Sequence, residues 1–295
     1  MPAAQVPSVA GHGDGARCAS VWRWSGVKAA DADHTSTRAD HRPSLGGALL
    51  TTSGLTKSFR GFTAVNGVDL QVREGSVHAL VGPNGAGKTT LFNLLTGFLA
   101  PSSGTVTLAG QDVTGLPPEK MAHLGVARSF QITSLFDQLT ATEHLELALQ
   151  SSTGQGLKFW RSDVLMGRFA DRSAELLEEV GLSDQAHEPA GALAYGRKRA
   201  LELAIALALE PRLLLLDEPT AGMGIEDVSR TIELVRRVAV GRTVVFVDHN
   251  MHVVGSLADQ VTVLQQGRVL AEGPYDAVRT DPRVITAYLG EEQDD

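Results

Sequence analysis

The segment Gly82-Pro-Asn-Gly-Ala-Gly-Lys88-Thr89 has the pattern GxxxxGK[ST], and the rest of the chain is interpreted from it. It lies between a predicted strand, residues 76–81, and a predicted helix, residues 89–98, whose apolar residues fall three and four apart. Such a turn predicts a loop whose backbone N–H groups bind phosphate, because glycines let the chain approach phosphate oxygens closely. We expect the nucleotide phosphates to be held by Gly82, Pro83, Asn84, Gly85, Ala86, Gly87, Lys88, Thr89 and Thr90.

Within this loop Lys88 should reach the terminal phosphates, and the hydroxyl of Thr89 should coordinate Mg²⁺. Further along, the apolar stretch 213–216 ends at Asp217 and Glu218. A buried strand there would deliver both carboxylates to the sheet edge where nucleotides bind in such folds. We predict that Asp217 holds Mg²⁺ and that Glu218 is the general base for the water that attacks the γ-phosphate.

A second buried strand, residues 244–247, is followed by His249. His249 should emerge at the same sheet edge and contact the γ-phosphate. Continuous apolar strands that alternate with helices indicate an α/β fold with a parallel sheet covered on both faces. The remaining patterns predict helices at 143–150, 172–180, 200–209 and 228–238, Gly181 as the end of the second of these, and a hairpin over 261–270 that turns at Gln266 and Gly267.

Composition limits the possible classes of protein. The 295 residues carry a formal net charge of −8 with scattered basic residues, which argues against a nucleic-acid binder. The single cysteine, Cys18, excludes an intramolecular disulfide and a multi-cysteine metal site, and it fits a reducing compartment. No apolar run approaches the roughly 18 residues of a membrane-spanning helix, so we expect none.

The N-terminal residues 1–47 show no sustained helical or strand period, and they are predicted to be a disordered extension. They also lack the apolar core of a signal peptide. Trp22 and Trp24 are the exceptions in this stretch, and they are read as incidental to a tail or as a docking element. The folded domain is expected to cover residues 48–295.

The phosphate loop, the segment 213–219 and Val247-Asp-His-Asn-Met251 together resemble the ordered motifs of ABC-transporter ATPases, over about residues 50–290. The resemblance implies a P-loop (RecA-like) core with a mostly parallel sheet, an antiparallel β subdomain and a helical subdomain at about 133–195. It implies that Gln131 senses Mg²⁺ and the attacking water, and that Phe59 stacks on adenine.

By the same resemblance, Leu193-Ala-Tyr-Gly196-Arg197 occupies the position of the signature Leu-Ser-Gly-Gly-Gln, which presses on the ATP held by a second subunit. Ala194, Tyr195 and Gly196 are therefore expected to contact nucleotide. Ala194 lacks the usual serine hydroxyl, Arg197 replaces a glutamine, and Gly224 stands where an aspartate is common. Backbone N–H groups can still receive phosphate, so we expect retained activity with altered ATP affinity.

Several variant segments resemble the ATPases of branched-chain amino-acid importers, and urea and short-amide importers share them: 127–131, 193–196, 221–223 and 284–290. The implied cofactors are ATP and Mg²⁺. The implied partners are polytopic permeases at the cytoplasmic face of the membrane, a second cassette, identical or more often different, and indirectly a solute-binding protein. Rival readings are a soluble ABC-type ATPase of DNA repair or the ribosome, an exporter, and a phosphotransferase built on the same loop.

Overall fold

The computed structural model describes residues 47–129, 135–152 and 163–289. The predicted disordered extension therefore lies outside the described residues, apart from Gly47, and its state stays a prediction. The strands of the described part are β1 Ala48–Phe59, β2 Phe62–Arg73, β3 Val77–Val81, β4 Ser103–Leu108, β5 Gln111–Asp112, β6 Val126–Ser129, β7 Leu213–Asp217, β8 Thr243–Val247, β9 Gln260–Gln265 and β10 Arg268–Gly273. The α-helices are α1 Lys88–Leu95, α2 Pro118–His123, α3 Ala141–Ser152, α4 Asp163–Val180, α5 Tyr195–Leu207, α6 Ile225–Val238, α7 Met251–Leu257, α8 Tyr275–Val278 and α9 Pro282–Leu289.

The larger sheet has the strand order β10-β9-β3-β8-β7-β6. All neighbours in it are parallel except β10 and β9, which form the predicted closing hairpin. Every residue of β3, β7 and β8 is buried, which explains why these strands are continuous apolar runs in the sequence. The prediction of a mostly parallel core sheet is confirmed.

The smaller sheet is antiparallel, with the order β2-β1-β4-β5. It shares a hydrophobic core with α1 and one side of the parallel sheet, where Leu50, Leu55, Phe92 and Leu215 are fully buried. The predicted antiparallel β part is therefore present. Its first strand, β1, was not predicted, because its apolar residues are interrupted by threonine, serine and glycine.

Helices α3, α4 and α5 pack against one another on the other side of the parallel sheet, around Leu145, Leu176 and Leu201. Gly181 follows α4 with a φ of 73°, so it ends that helix as predicted. The precise limits of a helical subdomain at 133–195 stay a prediction.

Several predicted helix boundaries were wrong, among them the start of the helix predicted at 172–180, which begins at Asp163. The first helix ends at Leu95 because Gly97, with a φ of 77°, turns the chain away, and Phe98 is then 49 % exposed rather than part of the buried face. The helix predicted at 200–209 begins earlier, at Tyr195. The apolar spacing did not reveal this start, because polar and basic residues form much of the first turn. Ala194 is consequently the residue that precedes the helix, and Gly196 lies inside its first turn.

Truncation of Leu214 tests the packing of the central strand β7. Leu214 is fully buried, so Leu214→Ala should lower the free energy of unfolding by about 2–5 kcal/mol through lost apolar contacts and a residual cavity. Leu147→Ala is the matched control, because Leu147 is 48 % exposed and the change there should cost less than about 1 kcal/mol. Urea denaturation measures both, and equal losses would contradict the described core.

Candidate active site

Strands β3, β8 and β7 end in register at one edge of the parallel sheet. Val247 is paired with Leu80 on one side and with Asp217 on the other, so β3, β8 and β7 end side by side. The backbone N–H of Glu218 donates to the carbonyl oxygen of Val247 at 2.9 Å, which continues this alignment one residue further. The loops that follow the three strands are therefore neighbours, as expected for the carboxyl edge of a parallel sheet.

The glycine-rich loop after β3 adopts a shape that side chains would not allow. Gly82, with a φ of 149°, lies against the carbonyl oxygen of Leu264, and a Cβ there would collide with that oxygen. Gly87, with a φ of 99°, lies in the same way against the carbonyl of Ala64. The loop leads directly into α1, with Gly87 as the residue that precedes the helix.

Lys88 curls back over this turn. Its ammonium group donates to the carbonyl oxygens of Gly82 at 2.5 Å and Pro83 at 2.8 Å, and only 7 % of the residue is exposed. Asn84 and Gly85, at the apex of the loop, are exposed, and so is Thr89 in the first turn of α1, with Thr90 half-buried beside it and Ala86 buried behind. The loop thus offers backbone N–H groups, a lysine and an accessible threonine hydroxyl in one place.

Glu218 and His249 are brought together at the same edge. The Nε2 atom of His249 lies 3.2 Å from Oε1 of Glu218, and the two side chains are 49 % and 26 % exposed. Glu218 has a φ of 48°, a left-handed conformation that costs a non-glycine residue energy and is concentrated at functional sites. A carboxylate held this way beside a phosphate-binding loop can accept a proton from water.

The loops after β7 and β8 are tied to each other by residues to which the sequence analysis gave no role. The hydroxyl of Thr220 donates to Oδ2 of the buried Asp248 at 2.6 Å, and the N–H of Asn250 donates to Oδ1 at 2.8 Å. This link fixes the distance between the segments that carry Glu218 and His249. The sequence offered one signal for this link, the carboxylate of Asp248 directly before His249 at the end of a buried strand.

Asp217 ends β7 and is buried, as predicted, but it is already paired. Oδ2 of Asp217 accepts a hydrogen bond from Nη2 of Arg128 on the neighbouring strand β6, at 2.5 Å. The strand β6 was not predicted, because it is short and carries polar residues. The sequence signal for the Arg128–Asp217 pair is that Arg128 is the single charged residue in the segment Ala127-Arg-Ser-Phe-Gln131.

Phe59 lies at the tip of the β1–β2 hairpin, stacked on Phe62 with the ring centroids 5.7 Å apart. The ammonium group of Lys57 is 5.4 Å from the centroid of Phe59. The rings are 39 % and 63 % exposed, and Ala64, on the same strand as Phe62, contacts the phosphate loop at Gly87. The aromatic pair is therefore close along β2 to the phosphate loop.

The segment 193–197 forms the beginning of α5. Ala194 precedes the helix without a side-chain cap, and the hydroxyl of Tyr195 is 3.4 Å from the carbonyl oxygen of Ala221. Arg197 does not extend from the helix, since its Nη1 donates to the carbonyl oxygen of Gly181 at 2.6 Å. Arg199 donates to the Tyr195 hydroxyl and lies over its ring.

Gln131, predicted to act in catalysis and metal sensing, lies outside the described residues, and its role stays a prediction. Within residues 47–129, 135–152 and 163–289 no group of three or more His, Cys, Asp or Glu side chains is arranged to hold a metal ion. A search of the same ranges finds no helix with the length and apolar character needed to span a membrane.

Comparison with known proteins identifies this arrangement. The sequence profile of the ABC transporter family matches residues 65–221, and that of the branched-chain amino acid ATP-binding cassette transporter matches residues 268–294. The chain is 43 % identical over 253 residues to the high-affinity branched-chain amino acid transport ATP-binding protein BraF of Pseudomonas aeruginosa, a match that covers 82 % of this chain and 98 % of BraF. It is 39 % identical to the corresponding protein LivG of Escherichia coli K12, with the same coverage.

Among solved structures, the fold is similar to the ADP conformation of MJ1267, an ATP-binding cassette of an ABC transporter. The TM-score is 0.74 at 29 % identity, and the match covers 82 % of this chain and 99 % of that one. It is also similar to CbiO1 of Clostridium perfringens, part of the ABC transporter complex cbiONQ, with a TM-score of 0.69 at 25 % identity, covering 83 % of this chain and 99 % of that one. The chain belongs to the ATP-binding cassette family of ABC transporters, whose members are ATPases coupled to transport.

Proposed function

We propose that this chain is the ATP-hydrolysing subunit of a membrane importer for branched-chain amino acids. The observation that carries the proposal is the pair Glu218 and His249, 3.2 Å apart at the sheet edge that also holds the phosphate loop. The choice of solute is supported by the names of the relatives and by the profile match over residues 268–294. Urea and short amides remain the alternative solutes.

ATP binds along the loop and the first turn of α1. The backbone N–H groups and the positive end of α1 receive the phosphates, and Lys88 leaves the carbonyl oxygens of its own loop to pair with the terminal phosphates. The exposed rings of Phe59 and Phe62 supply a flat apolar surface for adenine. The Lys57 ammonium, already over the Phe59 ring, has to shift if the base uses that face.

The donor set fits Mg²⁺, which proteins hold through one or two carboxylates together with substrate phosphates rather than through a full cage of side chains. Asp217 supplies the carboxylate and the exposed Thr89 the hydroxyl, and Gln131 is proposed as a further contact. When bound, the ion neutralises charge on the phosphate oxygens.

Hydrolysis is assigned to Glu218 as general base. Its carboxylate accepts a proton from the water that attacks the γ-phosphate, and His249, whose Nε2 lies 3.2 Å from that carboxylate, is assigned the contact with the γ-phosphate. The left-handed backbone of Glu218 and the Thr220–Asp248 bond keep both side chains at this edge. Strain stored in the backbone is consistent with a residue placed for chemistry rather than for stability.

Two cassettes close head to tail, so that the N-terminus of α5 in one faces the ATP in the other. Ala194 provides no side-chain cap there, so N–H groups of the first turn are available to phosphate. Because ATP can shift the equilibrium only by binding the closed dimer more tightly, closure follows ATP binding and opening follows hydrolysis. The second cassette is proposed to be a different chain, as in the resembled importers.

The chain acts as a peripheral protein on the cytoplasmic face of the membrane. Polytopic permeases carry the solute through the membrane, and a separate binding protein delivers it. The loop after Gln131 and the helices α3 and α4 are proposed to contact the permeases.

The hairpin β9–β10 holds the phosphate loop in its binding shape. The N–H of Gly267 donates to the carbonyl oxygen of Ala86 at 3.0 Å, and the carbonyl of Gly267 accepts from Asn66 at 2.8 Å. A Cβ at Gly267 would lie 2.6 Å from the carbonyl oxygen of Ala64, so any side chain must displace strand β2 or the loop.

Gly267→Ala should therefore weaken ATP binding by at least ~10-fold through displacement of the phosphate loop. Gly110→Ala is the matched control, because Gly110 also has a positive φ in a hairpin turn and has open space around it. Titration with a fluorescent ATP analogue measures the binding. If both variants bind ATP as the wild type does, the hairpin does not position the loop.

Glu218→Gln should leave ATP binding intact and lower phosphate release by at least ~100-fold, because the amide cannot accept a proton from water. Glu233→Gln, at an exposed position on α6, is the control and should keep full turnover. Unchanged phosphate release by Glu218→Gln would remove Glu218 from the role of base.

Capture of the tagged protein from gently solubilised membranes tests the partners. The proposal expects polytopic permeases and a second cassette, and the ligand of a co-purified solute-binding protein distinguishes amino acids from urea. Recovery of ribosomal or DNA-repair proteins in place of permeases would contradict the importer and leave the ATP site unaffected.

A further inference from the structure

Arg128 is partly buried between strand β7 and helix α1. Its side chain is 12 % exposed, and it divides its donors between two elements. Nη2 donates to Oδ2 of Asp217 at 2.5 Å, and Nη1 donates to the side-chain oxygen of Asn93 on α1 at 2.6 Å. The guanidinium carbon lies 5.7 Å from the ring centroids of both Phe92 and Phe98. The guanidinium is therefore held on several sides.

This environment makes the charge of Arg128 effective. The Asp217 side chain is only 7 % exposed, so the pair is screened little by water. A buried carboxylate without a partner is strongly unfavourable, and the bond from Arg128 offsets that cost. The bond takes one carboxylate oxygen, Oδ2, and it also fixes the orientation of the carboxylate plane.

Asp217 is the carboxylate that the proposed function assigns to Mg²⁺, and the inference rests on that assignment. A guanidinium on one oxygen of a carboxylate lowers the negative charge available to a divalent cation on the other oxygen. The same Arg–Asp bond stabilises the metal-free state. Both effects act in one direction, toward weaker metal binding.

We propose that Arg128 is a positioning residue that stands in for the metal ion at Asp217. Its guanidinium holds and neutralises the carboxylate between nucleotide cycles, and it moderates the affinity for Mg²⁺ so that the ion enters and leaves with the nucleotide. Asn93 anchors Arg128 from α1, the helix that follows the phosphate loop. Through Arg128 the first turns of that helix are coupled to the metal-binding carboxylate.

The test compares ADP affinity over a Mg²⁺ titration, with an EDTA reference, and so reads metal binding without turnover. Arg128→Met removes the competing charge, and the Mg²⁺ concentration at half-maximal effect should fall by at least ~5-fold. Arg128→Gln, which keeps a polar side chain able to bond Asn93, should give the same direction if the Met variant fails to fold. Arg128→Lys keeps the positive charge near Asp217 and should shift the half-maximal Mg²⁺ concentration less than either neutral variant.

Asp217→Asn separates this proposal from the proposed function. If Asp217→Asn loses the Mg²⁺ effect while both neutral Arg128 variants leave the half-maximal Mg²⁺ concentration unchanged or raise it, Arg128 is a structural ion pair and the proposal is wrong. If Asp217→Asn keeps the full Mg²⁺ effect, the assignment of the metal to Asp217 fails first. A purely structural role would lower the melting temperature of the Arg128 variants without shifting their Mg²⁺ dependence.

Discussion

The alignment of β3, β8 and β7 at one edge of the parallel sheet is the constraint on which the site depends. Backbone pairing at Val247 sets the ends of the two neighbouring strands, and the Glu218 N–H bond to Val247 extends it. Because parallel strands share one carboxyl edge, the loops that follow these three strands converge there. This backbone geometry brings the phosphate loop, Glu218 and His249 to one edge, and the side-chain bond from Thr220 to Asp248 then ties the last two loops together.

The structure shows what Arg197, one of the departures from the usual signature segment, contacts. Arg197, in place of a glutamine, is bonded to the carbonyl oxygen that follows α4, and Arg237 and Arg242 bond Glu179 in the last turn of that helix. Basic side chains at a helix C-terminus satisfy its orphan carbonyl groups. In this chain Arg197 thus helps to attach α5 to the end of α4.

Much of the fold was predictable because it is built around short, continuously apolar strands and a dense glycine motif. The glycine motif indicated the strand before it and the helix after it, and the apolar run 213–216 indicated the buried strand β7. Strands β1 and β6 were missed because mixed polar sequence hides their pairing, which is set by neighbouring strands rather than by local pattern. The spacing of apolar residues also did not predict where two helices end or begin. Helix α1 ends at Leu95 because Gly97 turns the chain, and helix α5 begins at Tyr195 with a first turn that is not apolar.

The site was predictable residue by residue only where a side chain belongs to a motif. Arg128, Thr220 and Asp248 act through contacts between segments that are distant in sequence, and spacing along the chain carries no record of them. Arg128 holds Asp217, and the bond from Thr220 to Asp248 joins the segments that carry Glu218 and His249.

Transport in reconstituted proteoliposomes is the decisive measurement for the proposed importer. The purified complex of this chain with its permeases is reconstituted with ATP at the cassette side and with the binding protein and radiolabelled leucine on the opposite side. The account predicts leucine accumulation that requires ATP and stops with Lys88→Ala, in step with phosphate release. Phosphate release without leucine movement, or leucine movement without ATP, would contradict it.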